Sequence, residues 1–229
     1  MPGGNSRVAL RRMILSWAAA LVCALPGGAS AHDIPNDVKV QAFVRPDGQQ
    51  LQLLVRVPLM AMREVDFPRR GPGYLDLARA DAALRNAATL WIADNIELYE
   101  DDVRLGSPRI VDARVSLPSD KSFGSYADAL AHVTGPRLPN TLDLFWNQGL
   151  LDVLLEYPIR SERADFSIHP QLARLGLQVV VALRFLPPGG AERDDERGHN
   201  RTDNEITLAL HAFHFFPLHR KPRRRGHCW

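Results

Sequence analysis

Two runs of alternating apolar and polar residues, meeting at a Pro-Asp-Gly turn, restrict the folds open to this chain more than any other feature. Val38, Val40, Ala42 and Val44 hold every second position of the first run, and Leu51, Leu53, Val55 and Val57 those of the second. Successive side chains of a strand point to opposite faces, so each run lines one face with apolar groups. Pro46-Asp47-Gly48 between them supplies turn chemistry, and the pair reads as a β-hairpin. One face is expected on a core and the other largely in water, as in an antiparallel sheet solvated on one side.

The rest of the chain keeps the same character. In residues 76–95, Leu77, Ala80, Ala83, Leu84, Ala87, Ala88 and Trp91 recur at helical spacing, which predicts a helix. Extended structure is expected to return at residues 96–99, turn at Glu100-Asp101-Asp102 and resume over 110–117 as a second hairpin, with a short surface helix over 126–133. Residues 151–159 and 177–186 are the strongest late strands, and 166–168 add a short one. Many short strands with few helices point to a mainly β fold, an antiparallel β-sandwich with one or two helices in its connections. Pro187-Pro188-Gly189-Gly190 marks the end of that domain. Residues 191–229 are compositionally foreign to it and read as a poorly ordered tail.

Lys and Arg number 28 against 26 Asp and Glu, and a formal charge of +2 excludes a polyanion-binding role argued from charge, so no nucleic-acid partner is expected. Arg7, Arg11 and Arg12 precede an apolar run over residues 13–25, followed by Pro26-Gly27-Gly28 and Ala29-Ser30-Ala31. A positive start, a short apolar stretch and an A-x-A site read as a secretory signal peptide, residues 1–31, cut between Ala31 and His32. The run is shorter than the roughly 20 residues that span a bilayer, and no later segment reaches that length, so the mature chain is expected to be extracytoplasmic and without a membrane span. Of the two cysteines, Cys23 falls in the leader and Cys228 near the end, leaving no internal disulfide to expect.

Cleavage there makes His32 the first residue. Its α-amine and ring nitrogen together can chelate copper or nickel, and a second imidazole from His132 or His169 would complete the site. The alternative is a cut before an ordinary solvated residue.

Several spaced segments carry a resemblance: His32-Asp33-Ile34-Pro35, Gly71-Pro72-Gly73-Tyr74-Leu75-Asp76-Leu77, Leu90-Trp91-Ile92-Ala93-Asp94-Asn95, Arg114-Val115-Ser116-Leu117-Pro118-Ser119-Asp120 and Trp146-Asn147-Gln148-Gly149. Over residues 32–190 the chain resembles the extracytoplasmic half of HupE/UreJ-type membrane proteins. That resemblance implies a hydrogenase- or urease-accessory setting, movement of nickel or a related metal, and a membrane-protein partner. Such proteins continue into membrane helices, and the His/Asp motif of those helices has no counterpart here. Residues 191–229 are therefore read as a shifted frame or a truncation.

Nucleophile elbows, phosphate-binding glycine loops, paired cysteine ligands and His-Glu-x-x-His are all missing from the sequence, and no enzyme is expected. Glu100, Asp101 and Asp102 read as a solvated turn, and Trp91 and Trp146 as core residues. Three functions stay open: a non-catalytic module assisting metal handling, a copper-binding or copper-oxidising protein built on His32, and a structural or adhesive sandwich.

Overall fold

The computed structural model describes residues 35 and 37–188, with the backbone of residues 193–200 and 208–209. The expected leader, His32 and the remaining residues of the expected tail lie outside the described residues.

β1 (Asp37–Asp47) and β2 (Gln50–Pro58) form the expected hairpin. Its two-residue loop opens with Gly48 at φ +60°, the left-handed conformation a type II′ turn asks for at that position. A small ribbon, β3 (Arg69–Arg70) with β4 (Tyr74–Leu75), precedes helix α1 (Asp81–Trp91). Leu84, Ala87, Ala88 and Trp91 make one buried stripe on that helix, the spacing that singled it out in the sequence.

β5 (Ile96–Glu100) then turns through Asp101 and Asp102, both at positive φ, into the two-residue β6 (Val103–Arg104). The expected hairpin between 96–99 and 110–117 does not form. The amide of Leu105 still bonds the carbonyl of Leu98, but Gly106-Ser107-Pro108 then carries the chain to another sheet, where β7 (Arg109–Ser116) pairs with β8 (Leu150–Pro158). Helix α2 (Tyr126–Thr134) lies between those two strands in sequence. β9 (Phe166–Pro170) joins β5, and β10 (Gln178–Phe185) pairs with β1. β11 (Arg193–Asn200) and β12 (Leu208–Ala209) pair with β10 and β9, past the boundary expected at residues 187–190.

The strands make a six-stranded sheet in the order β11-β10-β1-β2-β8-β7 and a four-stranded sheet in the order β12-β9-β5-β6. The fold is mainly β, as expected. It is not wholly antiparallel: β1 and β10 run parallel. The cause is the excursion of the chain into the second sheet as β9, from which it returns to the far side of β1 in the same direction. One apolar cluster joins Val40, Val44, Leu53, Val55, Val153 and Leu155 of the large sheet to Leu98 and Ile168 of the small one and to Trp91 of α1.

The other face of the central strands is not in water. Phe43, Leu54 and Leu154, aligned across β1, β2 and β8, are buried with Phe123, Tyr126, Ala129 and Val133 in a second cluster beneath α2. The sequence does carry the mark of this, since Leu53-Leu54-Val55 and Leu154-Leu155 break the alternation of a strand solvated on one side. Strand β7 ends the six-stranded sheet, and three of its backbone groups are met by side chains. Arg137 donates to the carbonyl of Ala113, Asp112 accepts from the Ala113 amide, and Arg85 donates to the carbonyl of Ile110. Charged side chains on an edge strand block pairing with another chain. Among the described residues no helix is long and apolar enough to cross a membrane.

Candidate functional site

Strand register places Gln41, Arg56, Asp152 and Arg114 side by side on the face beneath α2. A buried charge is costly unless it is paired and its remaining donors are satisfied. Arg56 meets both conditions. Its Nε donates to Asp152 Oδ1 and its Nη2 to Asp152 Oδ2, each at 2.6 Å, a bidentate pair with Asp152 fully enclosed. The same guanidinium reaches Asp120 Oδ1 at 2.8 Å, the Asp120 carbonyl at 3.1 Å and Ser122 Oγ at 3.0 Å. The Phe123 ring lies over it at 4.2 Å.

Ser116 and His132 complete the cluster. Ser116 sits on β7 one diagonal position from Asp152, and its hydroxyl donates to Asp152 Oδ2. His132 Nε2 is 2.7 Å from Ser116 Oγ and 3.2 Å from Asp152 Oδ2, while Nδ1 is 3.5 Å from Asp120 Oδ2. Burial pushes the Asp120 carboxyl up, yet the hydrogen bonds from Ser122 and Arg56 and the Arg56 charge outweigh it and hold the group at about 2. Burial likewise opposes the charge on Arg56, and Asp152 followed by Asp120 more than restores it, leaving its pKa raised.

The helix above is capped at both ends. Ser125 Oγ accepts the Asp128 amide at 3.2 Å and donates to the Asp128 carboxylate at 2.8 Å, a variant of the reciprocal N-terminal cap. At the other end Arg114 donates to the carbonyls of His132, Gly135 and Pro136 at 2.6, 3.0 and 3.0 Å, and to Asp112 at 2.9 Å. A cation set among the last carbonyls of a helix also complements its dipole.

By distance alone, Ser116, His132 and Asp120 resemble the nucleophile, base and orienting acid of a hydrolase. Burial separates the two cases. A nucleophile must come within about 3.5 Å of a substrate carbon, whereas Ser116 and Asp152 are both 0% exposed and the serine proton is held by Asp152. Both ring nitrogens of His132 face oxygen atoms, and the hydroxyl of Ser116 donates its hydrogen bond to Asp152. The arrangement fastens α2 and the 120–123 segment to the sheet.

Of the residues proposed from sequence as metal ligands, His132 falls inside this network, with both ring nitrogens facing oxygen partners. His169 lies half-buried on β9 in the other sheet, aligned with Glu97 and 5.3 Å from the Tyr99 ring. The two are not brought together, and His32 lies outside the described residues. Among the described residues no group of three or more His, Cys, Asp or Glu is arranged to hold a metal ion. Arg56 and Asp152 went unremarked in the sequence, although a charged residue inside an apolar strand run, as in Leu54-Val55-Arg56-Val57 and Leu151-Asp152-Val153, is the signal that would have found them. The Glu100-Asp101-Asp102 turn is likewise only partly solvated. Glu100 is buried, and its carboxylate accepts the amides of Arg160 and Ser161, both at 2.8 Å, and Arg160 Nε at 3.1 Å. Trp91 is a core residue, while Trp146 is half-buried and stacks on Phe67.

A comparison with protein-family models finds no match to this chain. A comparison with curated proteins finds none either.

Proposed function

We propose that this chain is a non-catalytic extracytoplasmic module of the kind that forms the soluble half of HupE/UreJ-type membrane proteins, exported by residues 1–31 and assisting the handling of nickel or a related metal beside a membrane partner. The observation that carries the non-catalytic reading is the burial of Ser116 and Asp152 at 0% exposure, which gives the one hydrolase-like trio of the described residues a fastening task. The family reading rests on the resembling segments, which sit at joints of this fold. Gly71-Pro72-Gly73-Tyr74-Leu75 and Trp146-Asn147-Gln148-Gly149, far apart in sequence, meet through Leu75 N to Leu144 O at 2.8 Å and Trp146 N to Gly73 O at 3.2 Å. Asn95 ends α1 by donating to Leu90 O at 2.8 Å and accepts the Gln171 amide at 2.7 Å. Arg114, Ser116 and Asp120 all belong to the buried network.

The test is made on protein recovered from the periplasm of the producing cell. Mass spectrometry should find His32 at the N-terminus, and cross-linking in intact cells should join the domain to an integral membrane protein whose loss lowers nickel uptake. Recovery from the cytoplasm with residues 1–31 attached removes the reading. A nitrogen-rich cupric electron paramagnetic resonance signal that disappears in His32→Ala would replace it with the copper-binding alternative.

A further inference from the structure

The described residues contain a second feature that the buried network does not use. A groove of about 350 Å³ opens where the chain leaves the four-stranded sheet for the six-stranded one. That volume lies within the range of small-ligand sites. Ile96, Leu105 and Pro108 supply apolar wall, and Tyr157, at the end of β8, lines it from the six-stranded sheet. Tyr157 is only 2% exposed and its hydroxyl has no hydrogen-bond partner. A buried donor left unpaired is rare and costly, and its persistence asks for an explanation. Burial also raises the phenol's pKa, so the group stays a neutral donor.

The charged groups around the groove are Asp94, Glu97 and Arg104. Glu97 is committed on two sides, to Arg104 at 3.0 Å and to the Tyr99 hydroxyl at 3.0 Å. Asp94 is exposed and belongs to no ion pair among the described residues. Two carboxylates against one guanidinium leave the lining with one negative charge, so a cationic group is attracted while the phenol asks for an oxygen.

We infer that this groove binds a small organic amine that also carries an oxygen acceptor, the amine directed to Asp94 and the acceptor to the Tyr157 hydroxyl. Walls of Ile96, Leu105 and Pro108 suit a short aliphatic linker between the two groups. The probes follow from this division: 4-aminobutanoate has both groups, butylamine the cation alone and butanoate the acceptor alone. Each is titrated into the full-length protein while backbone amide shifts are recorded.

Shifts are expected to concentrate at residues 93–97 and 104–108, with 4-aminobutanoate binding about fivefold more tightly than either single-function probe. Tyr157→Phe, which removes only an unpaired hydroxyl and leaves the ring packed, should cost 4-aminobutanoate about fivefold and leave butylamine unchanged. Asp94→Asn should weaken both amines and not butanoate. Equal binding of the three probes, shifts scattered over the surface, no binding at all, or indifference to both substitutions would each overturn the assignment.

Discussion

Asp152 and Ser116 lie side by side, and their unequal tasks set how much each removal costs. Replacing Asp152 by Ala leaves the Arg56 guanidinium enclosed without its bidentate partner, and breaking a buried pair in this way costs about 3–5 kcal/mol. Ser116→Ala removes a hydroxyl bonded to that carboxylate and to His132, worth about 2 kcal/mol. Urea unfolding of the two variants measures the ratio, and equal losses would mean that the network is not organised around the Arg56–Asp152 pair. Asp120 adds a pH dependence. Its folded value of about 2 lies below the ordinary 3.8, so its contribution is complete above about pH 4 and is lost as the pH falls toward 2. The difference in stability between the parent and Asp120→Asn is expected to be about 2 kcal/mol at neutral pH and to vanish across that acid window, as followed by denaturant midpoints. Of these residues His132 stood out in the sequence for another chemistry, and Ser116 and Asp120 only as members of a resembling segment. An imidazole is a metal ligand, a base or a donor according to what faces it, and what faces it here comes from β7, from the loop at Asp120 that follows it, and from β8 on the far side of α2 in the chain.

Helix α2 depends on its ends more than on its length. At nine residues it is too short to persist on propensity alone, and Ser125 and Arg114 bond the backbone or carbonyls that such a helix leaves open. Arg114→Met is expected to speed amide hydrogen exchange across residues 126–134 while β2 and β8 keep their protection, and to destabilise the protein by about 2 kcal/mol, since hydrogen bonds to charged groups are the stronger ones. Unfolding of β2 and β8 in step with the helix would argue that α2 is no separate unit. The existence of both helices and of β1, β2, β8 and β10 was legible from periodicity, because spacing reports which face is covered. Partnership was not. The strand pattern over 110–117 is the same whether it folds back on β5 or joins β8, and only Gly106-Ser107-Pro108 hints that the chain changes sheets. The second buried face was visible as consecutive leucines, but what covers it is a helix whose sequence reads as a surface element.

In the molecule as a whole, the β7 edge of the six-stranded sheet is guarded by side chains. Arg137 and Arg85 occupy carbonyls on its free side, and Arg137 is further anchored on Asp112 at 2.7 Å and Asp81 at 2.8 Å. Substituting both arginines by Ala uncovers those acceptors, and the expected result is concentration-dependent self-association in light scattering with little change in the unfolding midpoint. A monomer at all concentrations would show that the packing of α1 along β7 shields the edge by itself. The parallel seam between β1 and β10 has a consequence of another kind. Asp37 lies beside Gln178, so one of the earliest strands to be synthesised waits for one of the latest before its flank is closed. Pairings this distant along a chain assemble slowly, and until they form, the valines of β1 have no neighbour on that side. A polypeptide built this way stays open while it is being made, and its sheet closes only after the strand at residues 178–185 has been added.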